Sequence, residues 1–166
     1  MLSYEVRRAT ADDLPDVVEL ASAMVVHSVS PFRAINPEEV KEFRRRDLQA
    51  LEDAVTQPNV AVFVAVERES GRFLGHVVVV SGHTESSTGE SQSWIFDISV
   101  IHECWSAGVG KALVERAEDF SRARGMRYIG LGVTSANERA VRFYERLGYA
   151  EERKRMIKVL DPENPD

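Results

Sequence analysis

Residues 59–67 read NVAVFVAVE, a run dense in β-branched residues that has to be a strand. Its apolar core, Val60 to Val66, is the longest plain apolar run in the chain and is far too short to span a membrane. Ser70–Gly71 marks a turn after it. Phe73 to Val80 and Trp94 to Ile101 read as two more strands, with the polar stretch SGHTESSTGESQS between them as a surface connection. Three strands in succession put a sheet in the middle of the chain.

Helical spacing lies on both sides of that sheet. Thr10 with Asp13 three residues on has the form of a capping box, and Leu14, Val18, Ala21 and Val25 follow as a helical stripe. SPFRAINP breaks this helix. Asn36 is a good N-cap, Pro37 suits the first helical position, and the second helix carries Val40, Phe43, Leu51 and Val55 before stopping ahead of Pro58. After the third strand of the run, Val109, Leu113, Ala117 and Phe120 form one helical face, and Gly125 suits the C-terminal cap. Tyr128 to Val133 reads as a strand, Ser135 to Leu147 as a helix ended by Gly148, and Tyr149 to Leu160 as a last strand or strand pair. The order predicts one α/β or α+β domain with a mixed sheet over residues 1–160, followed by a frayed tail, 161–166.

The chain has 166 residues, enough for one domain with a real core. Its net charge of −6 argues against general nucleic-acid binding, which needs a positive surface, and suits a cationic substrate better. Cys104 is the single cysteine, so no internal disulfide framework can form. The opening MLSYEVRR lacks the apolar stretch of a signal peptide, and no metal cluster stands at ligand spacing. These features predict a cytoplasmic protein without membrane, nucleic-acid or metal partners.

Two constellations carry chemistry. The first is DISVIHECWSAGVGKALVERA, a small-residue loop between a strand and a helix. Such a turn aims several backbone N–H groups at one point, where the helix dipole also favours an anion, so a phosphate or pyrophosphate is the natural ligand. A P-loop ending at Gly110–Lys111 would need glycine at 105 and Ser or Thr at 112, where Trp105 and Ala112 stand. A dinucleotide fingerprint starting at Gly108 would need glycine at 113, which is Leu113. Tight strand-to-helix packing is the other reason for Gly108 and Gly110.

The second is VTSANERAVRFYERLGY. Ser135 with Glu138 could form a capping box, or Asn137 is itself the cap. Asn137 and Tyr144 are seven residues apart, two helical turns, and share a face with Ala140 and Val141. Tyr144 is then either a core tyrosine or a functional hydroxyl. Gly130 and Gly132 occupy one face of the preceding strand, where a ligand or a packed helix could approach closely.

Together these elements resemble the GNAT superfamily of N-acetyltransferases, from the first strand through the last. The superfamily's coenzyme motif, Gln/Arg-x-x-Gly-x-Gly/Ala after the fourth strand, corresponds to Trp105, Ser106, Ala107, Gly108, Val109 and Gly110. Its second motif is matched by Asn137, Ala140, Phe143, Tyr144, Leu147, Gly148 and Tyr149. The resemblance implies a mostly antiparallel mixed sheet of about six to seven strands flanked by about four helices. It implies acetyl-coenzyme A as cosubstrate, with the backbone of Ser106, Ala107, Gly108, Val109, Gly110 and Lys111 around the pyrophosphate. Ile98, Ser99 and Val100 would pair with the pantetheine arm, and Asn137 would steady it. Tyr144 would give a proton to the departing thiolate in direct transfer to a primary amine, through an oxyanion held by backbone N–H. Trp105, Ser106 and Ala107 depart from the usual residues, which leaves less charge near the phosphates; Lys111, Arg142 or Arg146 could compensate. Gly132 stands where the ribosomal-protein acetyltransferases have glutamate.

The general base stays open. Asp97 matches a position often acidic in the superfamily and alternates opposite Phe96 and Ile98; a buried structural acid is the other reading. Glu103, His102, His76, His27, His83 or a water chain are alternatives. Cys104 should pack beside the loop. SVSPFRAINP and the loop 81–93 should recognise the acceptor, a small-molecule or peptide amine, and a homodimer is left open. Two rivals are a non-catalytic acyl-coenzyme A sensor on the same fold and an unrelated phosphate-ligand domain.

Overall fold

In the computed structural model, which describes residues 1–160, the β-branched run forms β2 (Val60–Glu67), and every residue from Val60 to Val66 is buried. A strand with no solvent-facing alternate must be covered on both faces. It lies inside one sheet of order β1-β2-β3-β4-β5, with β1 at Tyr4–Arg8, β3 at Phe73–Thr84, β4 at Ser91–Val100 and β5 at Ile129–Leu131. The first four strands are antiparallel, and β5 runs parallel to β4.

One face of the sheet is covered by α4 (Val109–Ala123). Its predicted stripe, Val109, Leu113, Ala117 and Phe120, packs on Ala61, Phe63, Ala65, Val77 and Val79. The other face is covered by α1 (Leu14–Met24) and the single-turn α3 (Leu51–Ala54), through Leu14, Val17 and Leu51 on Val62, Val64, Val66 and Val78. Burying each such aliphatic side chain contributes about 1.5–3 kcal/mol, so these two layers carry the fold's stability. Between α1 and α3 lies α2 (Pro37–Asp47), capped by the Asn36 side chain, which accepts from the Glu38 N–H at 3.0 Å. The last helix is α5 (Glu138–Arg146).

Several expectations need correction. The sheet has five strands, not six or seven, because Tyr149 to Leu160 joins no ladder among the described residues. Five consecutive charged residues, Glu151 to Arg155, leave the first part of this stretch no apolar face to bury, and the apolar residues after them, Met156, Ile157, Val159 and Leu160, stay exposed. β5 is shorter than 128–133. The polar stretch 81–93 is mostly a hairpin: Ser81, Gln92 and Ser93 are buried strand residues, and the connection shrinks to 85–90. In α1 the inward residue is Val17 rather than Val18. The second predicted helix breaks after Asp47, and Phe43 is 64% exposed. The predicted tail 161–166 lies outside the described residues. No helix among the described residues is long and apolar enough to cross a membrane.

Candidate active site

The site follows from where β4 and β5 stop pairing. Ser93, Trp94 and Ile95 face Ile129, Gly130 and Leu131 in register, and there the ladder ends. From Phe96 onward β4 keeps only β3 beside it, so the two parallel strands part in a V. The opening is a cavity of about 760 Å³ lined by Asp97, Ile98, Ser99 and Val100 on β4, by Gly132 to Thr134 after β5, and by Asn137 and Tyr144 of α5.

A β-bulge sets the strand's aim at this point. Val78 pairs with Asp97 and Val79 with Ile95, which leaves Phe96 as the extra residue. The bulge switches the parity of β4. Ile95 and Ile98, three apart, both pack toward α4, while Asp97 turns to the opposite face beside His76.

The glycine loop closes the V at the end of β4. Ser106 and Gly108 both hold left-handed backbone, with φ of 81° and 83°. For a residue with a side chain this conformation costs about 1–2 kcal/mol, and such strain is concentrated at functional turns. No side chain caps α4, and Ala112 is the first residue to donate back to Gly108, at 3.1 Å. The N–H groups of the first turn, at Val109, Gly110 and Lys111, are thus left for an external acceptor. The Ala107 N–H instead donates to the Cys104 carbonyl at 3.1 Å. Ser106, Gly108, Gly110 and Lys111 line the cavity; Ala107 and Val109 do not, and the Val109 side chain is in the core. The packing reading of the glycines holds at Gly110, where a Cβ would lie 3.3 Å from the Phe143 ring of α5.

Trp105 fills the mouth of the loop. Its indole N–H donates to the Val100 carbonyl at 2.8 Å, and the Arg139 guanidinium lies 3.5 Å from its ring centroid. Burial lowers the pKa of Arg139, which stays a cation at any neutral pH. Of the cations weighed from the sequence, Lys111 and Arg146 line the cavity, whereas Arg142 pairs with Glu138 at 3.0 Å and faces away. Arg139 itself was missed, since it occupies a variable position of the second motif.

On α5, Asn137 is the cap. Its side-chain oxygen accepts from the Ala140 N–H at 3.2 Å and its amide donates to the His27 carbonyl at 3.3 Å, tying α5 to the end of α1. Thr134 makes a parallel tie to the Ser28 carbonyl. Tyr144 is half-buried and lines the cavity. Burial, and behind it the charge of Asp97, raises its pKa to about 12, so it keeps its proton throughout the neutral range. The strand glycines have another cause: a Cβ on Gly130 would sit 2.8 Å from the Trp94 ring, so Gly130 makes room for an indole and only Gly132 faces the cavity.

Asp97 is 9% exposed, and its carboxylate is shared between His76 Nε2 and Arg44 Nη2, each at 2.7 Å. Burial pushes its pKa up, but His76 and Arg44 outweigh that and hold it below the usual carboxylate value. Arg44 also reaches Asp47 at 3.1 Å and lies 5.3 Å from the Phe96 ring centroid. His76 is fully buried behind Asp97. His27 and Cys104 line the cavity, Cys104 at only 4% exposure, and His83, His102 and Glu103 lie outside it. No group of three or more potential metal ligands occurs among the described residues.

Residues 28–149 match the acetyltransferase (GNAT) family, and this span covers the loop, the V and α5. The chain belongs to the GNAT family of acetyltransferases. Among its relatives are an uncharacterized N-acetyltransferase of Methanocaldococcus jannaschii, 25% identical over 90% of this chain and 62% of that one, and an uncharacterized N-acetyltransferase of Bacillus subtilis, 33% identical over 61% of this chain and 70% of that one. The chain therefore spans less than two thirds of the first relative's length. Among solved structures, a putative acetyl transferase from Pyrococcus furiosus superimposes with a TM-score of 0.77 at 27% identity, over 95% of this chain and 99% of the other. The GNAT fold expected from the sequence is thus present, with fewer strands.

Proposed function

We propose that this GNAT protein is an N-acetyltransferase that takes its acetyl group from acetyl-coenzyme A and passes it directly to a primary amine of a small molecule or peptide. The observation that carries the reading is the Tyr144 hydroxyl, half-buried, protonated and without a hydrogen-bond partner among the described residues, in a V whose far end is a loop of free N–H groups. The cosubstrate would supply a thioester-activated acetyl group. The residues fit it: the first-turn N–H groups of α4 with Ser106 and Gly108 suit a pyrophosphate, and the β4 edge from Ile98 to Val100 offers main-chain partners to an amide-bearing arm. Lys111, Arg139 and Arg146 supply the cationic surroundings that Trp105 does not.

Tyr144 holds a proton toward the leaving sulfur; burial raises its pKa to about 12, so the hydroxyl stays protonated and acts by hydrogen-bonding the sulfur as negative charge develops on it. Asp97 is ionised and held by Arg44 and His76, so it is a weak base. Its part is to favour a cationic acceptor, and the amine's proton leaves to water. Cys104 is too enclosed for nucleophilic use. The test is free-thiol release from acetyl-coenzyme A across an amine library. Coenzyme binding without turnover on any amine would support a sensor instead, and stabilisation by ATP but not by acetyl-coenzyme A would remove the reading altogether.

A further inference from the structure

The Arg44 guanidinium is held in the cavity wall but not saturated. Arg44 comes from α2 and lines the cavity beside Phe96 and Asp97, whereas Lys111 and Arg139 stand at the glycine loop. An arginine side chain has five N–H donors. Here Nη2 donates to Asp97 at 2.7 Å and Nη1 to Asp47 at 3.1 Å. The remaining donors have no acceptor among the described residues, and the Nε–H is buried without one. Leaving a charged donor unmet in the interior is costly, so the fork is short of an acceptor.

The two existing partners differ. Asp97 is almost enclosed and is also tied to His76, so it is fixed. Asp47 is the last residue of α2, its side chain is 38% exposed, and an exposed pair of this kind is weak and exchangeable. A planar fork with open donors fits a carboxylate through two bonds at once. A phosphate dianion fits less well, because Asp97 and Asp47 already place two negative charges at the guanidinium. The Phe96 ring, 43% exposed and 5.3 Å from the guanidinium carbon, gives a carbon skeleton an apolar surface to lie on. Asp97 precedes Ile98, where the strand edge open to the coenzyme arm begins, so the guanidinium stands a side chain's length from the place of transfer.

We propose that Arg44 holds a carboxylate of the acceptor, so that the substrate is a small amino-carboxylate. Its amine lies beside Asp97 and Tyr144, and its carboxylate lies on the guanidinium. The inference rests on the acetyl transfer proposed above and narrows its acceptor from any amine to a zwitterion. Each half of the Arg44–Asp97 pair then meets the opposite charge of one ligand, which a plain amine or a polyamine does not offer.

Calorimetric titration of the protein saturated with coenzyme A tests this with amines matched except for the carboxylate. The pairs are propylamine against 4-aminobutyrate and phenethylamine against phenylalanine. In one pair or both, the carboxylated member should bind about ten- to a hundredfold more tightly, the worth of hydrogen bonds to a charged group. Arg44→Met keeps the stem against Phe96 and should remove the difference, and Arg44→Lys should restore part of it. Asp47→Asn, at the exposed end of α2, should release Nη1 and raise affinity for the carboxylated member by about two- to fivefold. If the Met variant does not fold, the wild-type pairs and Asp47→Asn decide. Equal wild-type affinities within both pairs overturn the proposal. So does an Arg44→Met loss shared equally by the two members, which is what a purely structural tie between α2 and β4 gives. The same pairs in the thiol-release assay separate this inference from the reading beneath it. Plain amines acetylated as well as their carboxylated partners sink the inference alone. Carboxylates bound through Arg44 but never acetylated remove acetyl transfer and leave Arg44 as a carboxylate site.

Discussion

The two ends of this sheet are built differently. From Val60 to Val79 nearly every strand residue is buried, whereas from Arg122 to Leu160 none is. β2 and β3 are pressed between α4 on one side and α1 with α3 on the other. β5 and α5 instead border a cavity, and α5 turns its apolar face, Ala140, Phe143 and Tyr144, toward that space. The difference teaches where stability and function are separated in the fold. The first half folds on its own side chains. The second half borders an open cavity instead, the place of the proposed function. Regions of low local stability are where binding elements are drawn from.

Substitutions can break this comparison. The largest effect should come from Leu113→Ala, in the fully buried layer under α4, with a loss of about 2–5 kcal/mol in urea unfolding. Phe143→Ala, on the half-buried face of α5, should cost less than half of that. Equal losses would mean that the C-terminal half is packed as tightly as the sheet. Next is the ligand: acetyl-coenzyme A at 100 times its dissociation constant should add about 2.7 kcal/mol, with new hydrogen-exchange protection gathered in residues 129–149 rather than in β2 and β3. Protection spread evenly over the chain would contradict the division.

A smaller effect tests the well-packed half by pH. Arg7 donates to both oxygens of Asp13 at 2.7 and 2.9 Å, and Thr10 adds its N–H, the capping box read from the sequence. These bonds, Arg7 first, lower the Asp13 pKa from 3.8 to about 2 against the opposing effect of burial. A carboxyl depressed in the folded state stabilises at pH values above its unfolded pKa and loses that contribution as the pH falls through the folded one. Stability should thus drop by about 1 kcal/mol between pH 4 and 2, and Asp13→Asn should flatten that part of the profile. The smallest effect is a gain. Ser106→Gly relieves left-handed backbone at φ 81° and should stabilise by about 0.5–1 kcal/mol in thermal melts.

How much of this was legible in the sequence follows the same division. The strands of the first half could be read because burial on both faces leaves continuous β-branched runs. The loop 105–111 and the pair Asn137 and Tyr144 could be read because their spacing is fixed by backbone geometry. What escaped depends on partners distant in sequence. The bulge at Phe96 shows only against β3. Ser81, Gln92 and Ser93 look like loop residues but are buried in a hairpin. Gly130 answers to Trp94, and Arg139 to Trp105. Arg44 reaches Asp97 from a helix 53 residues away, which no local pattern reveals. A last strand or strand pair was expected over Tyr149 to Leu160, but these residues join no ladder among the described residues, although β5 leaves an edge open.

The central claim rests on one hydroxyl. Tyr144→Phe keeps the ring that contacts Phe143 and Tyr149 and removes only the proton donor. With an accepted amine in hand, steady-state kinetics should show kcat lowered by about tenfold to a few hundredfold, the low end of general-acid assistance, with the affinity for acetyl-coenzyme A unchanged. A kcat within about twofold of the parent, with chemistry shown to limit the rate, would contradict the account and reduce Tyr144 to a packing residue of the cavity wall.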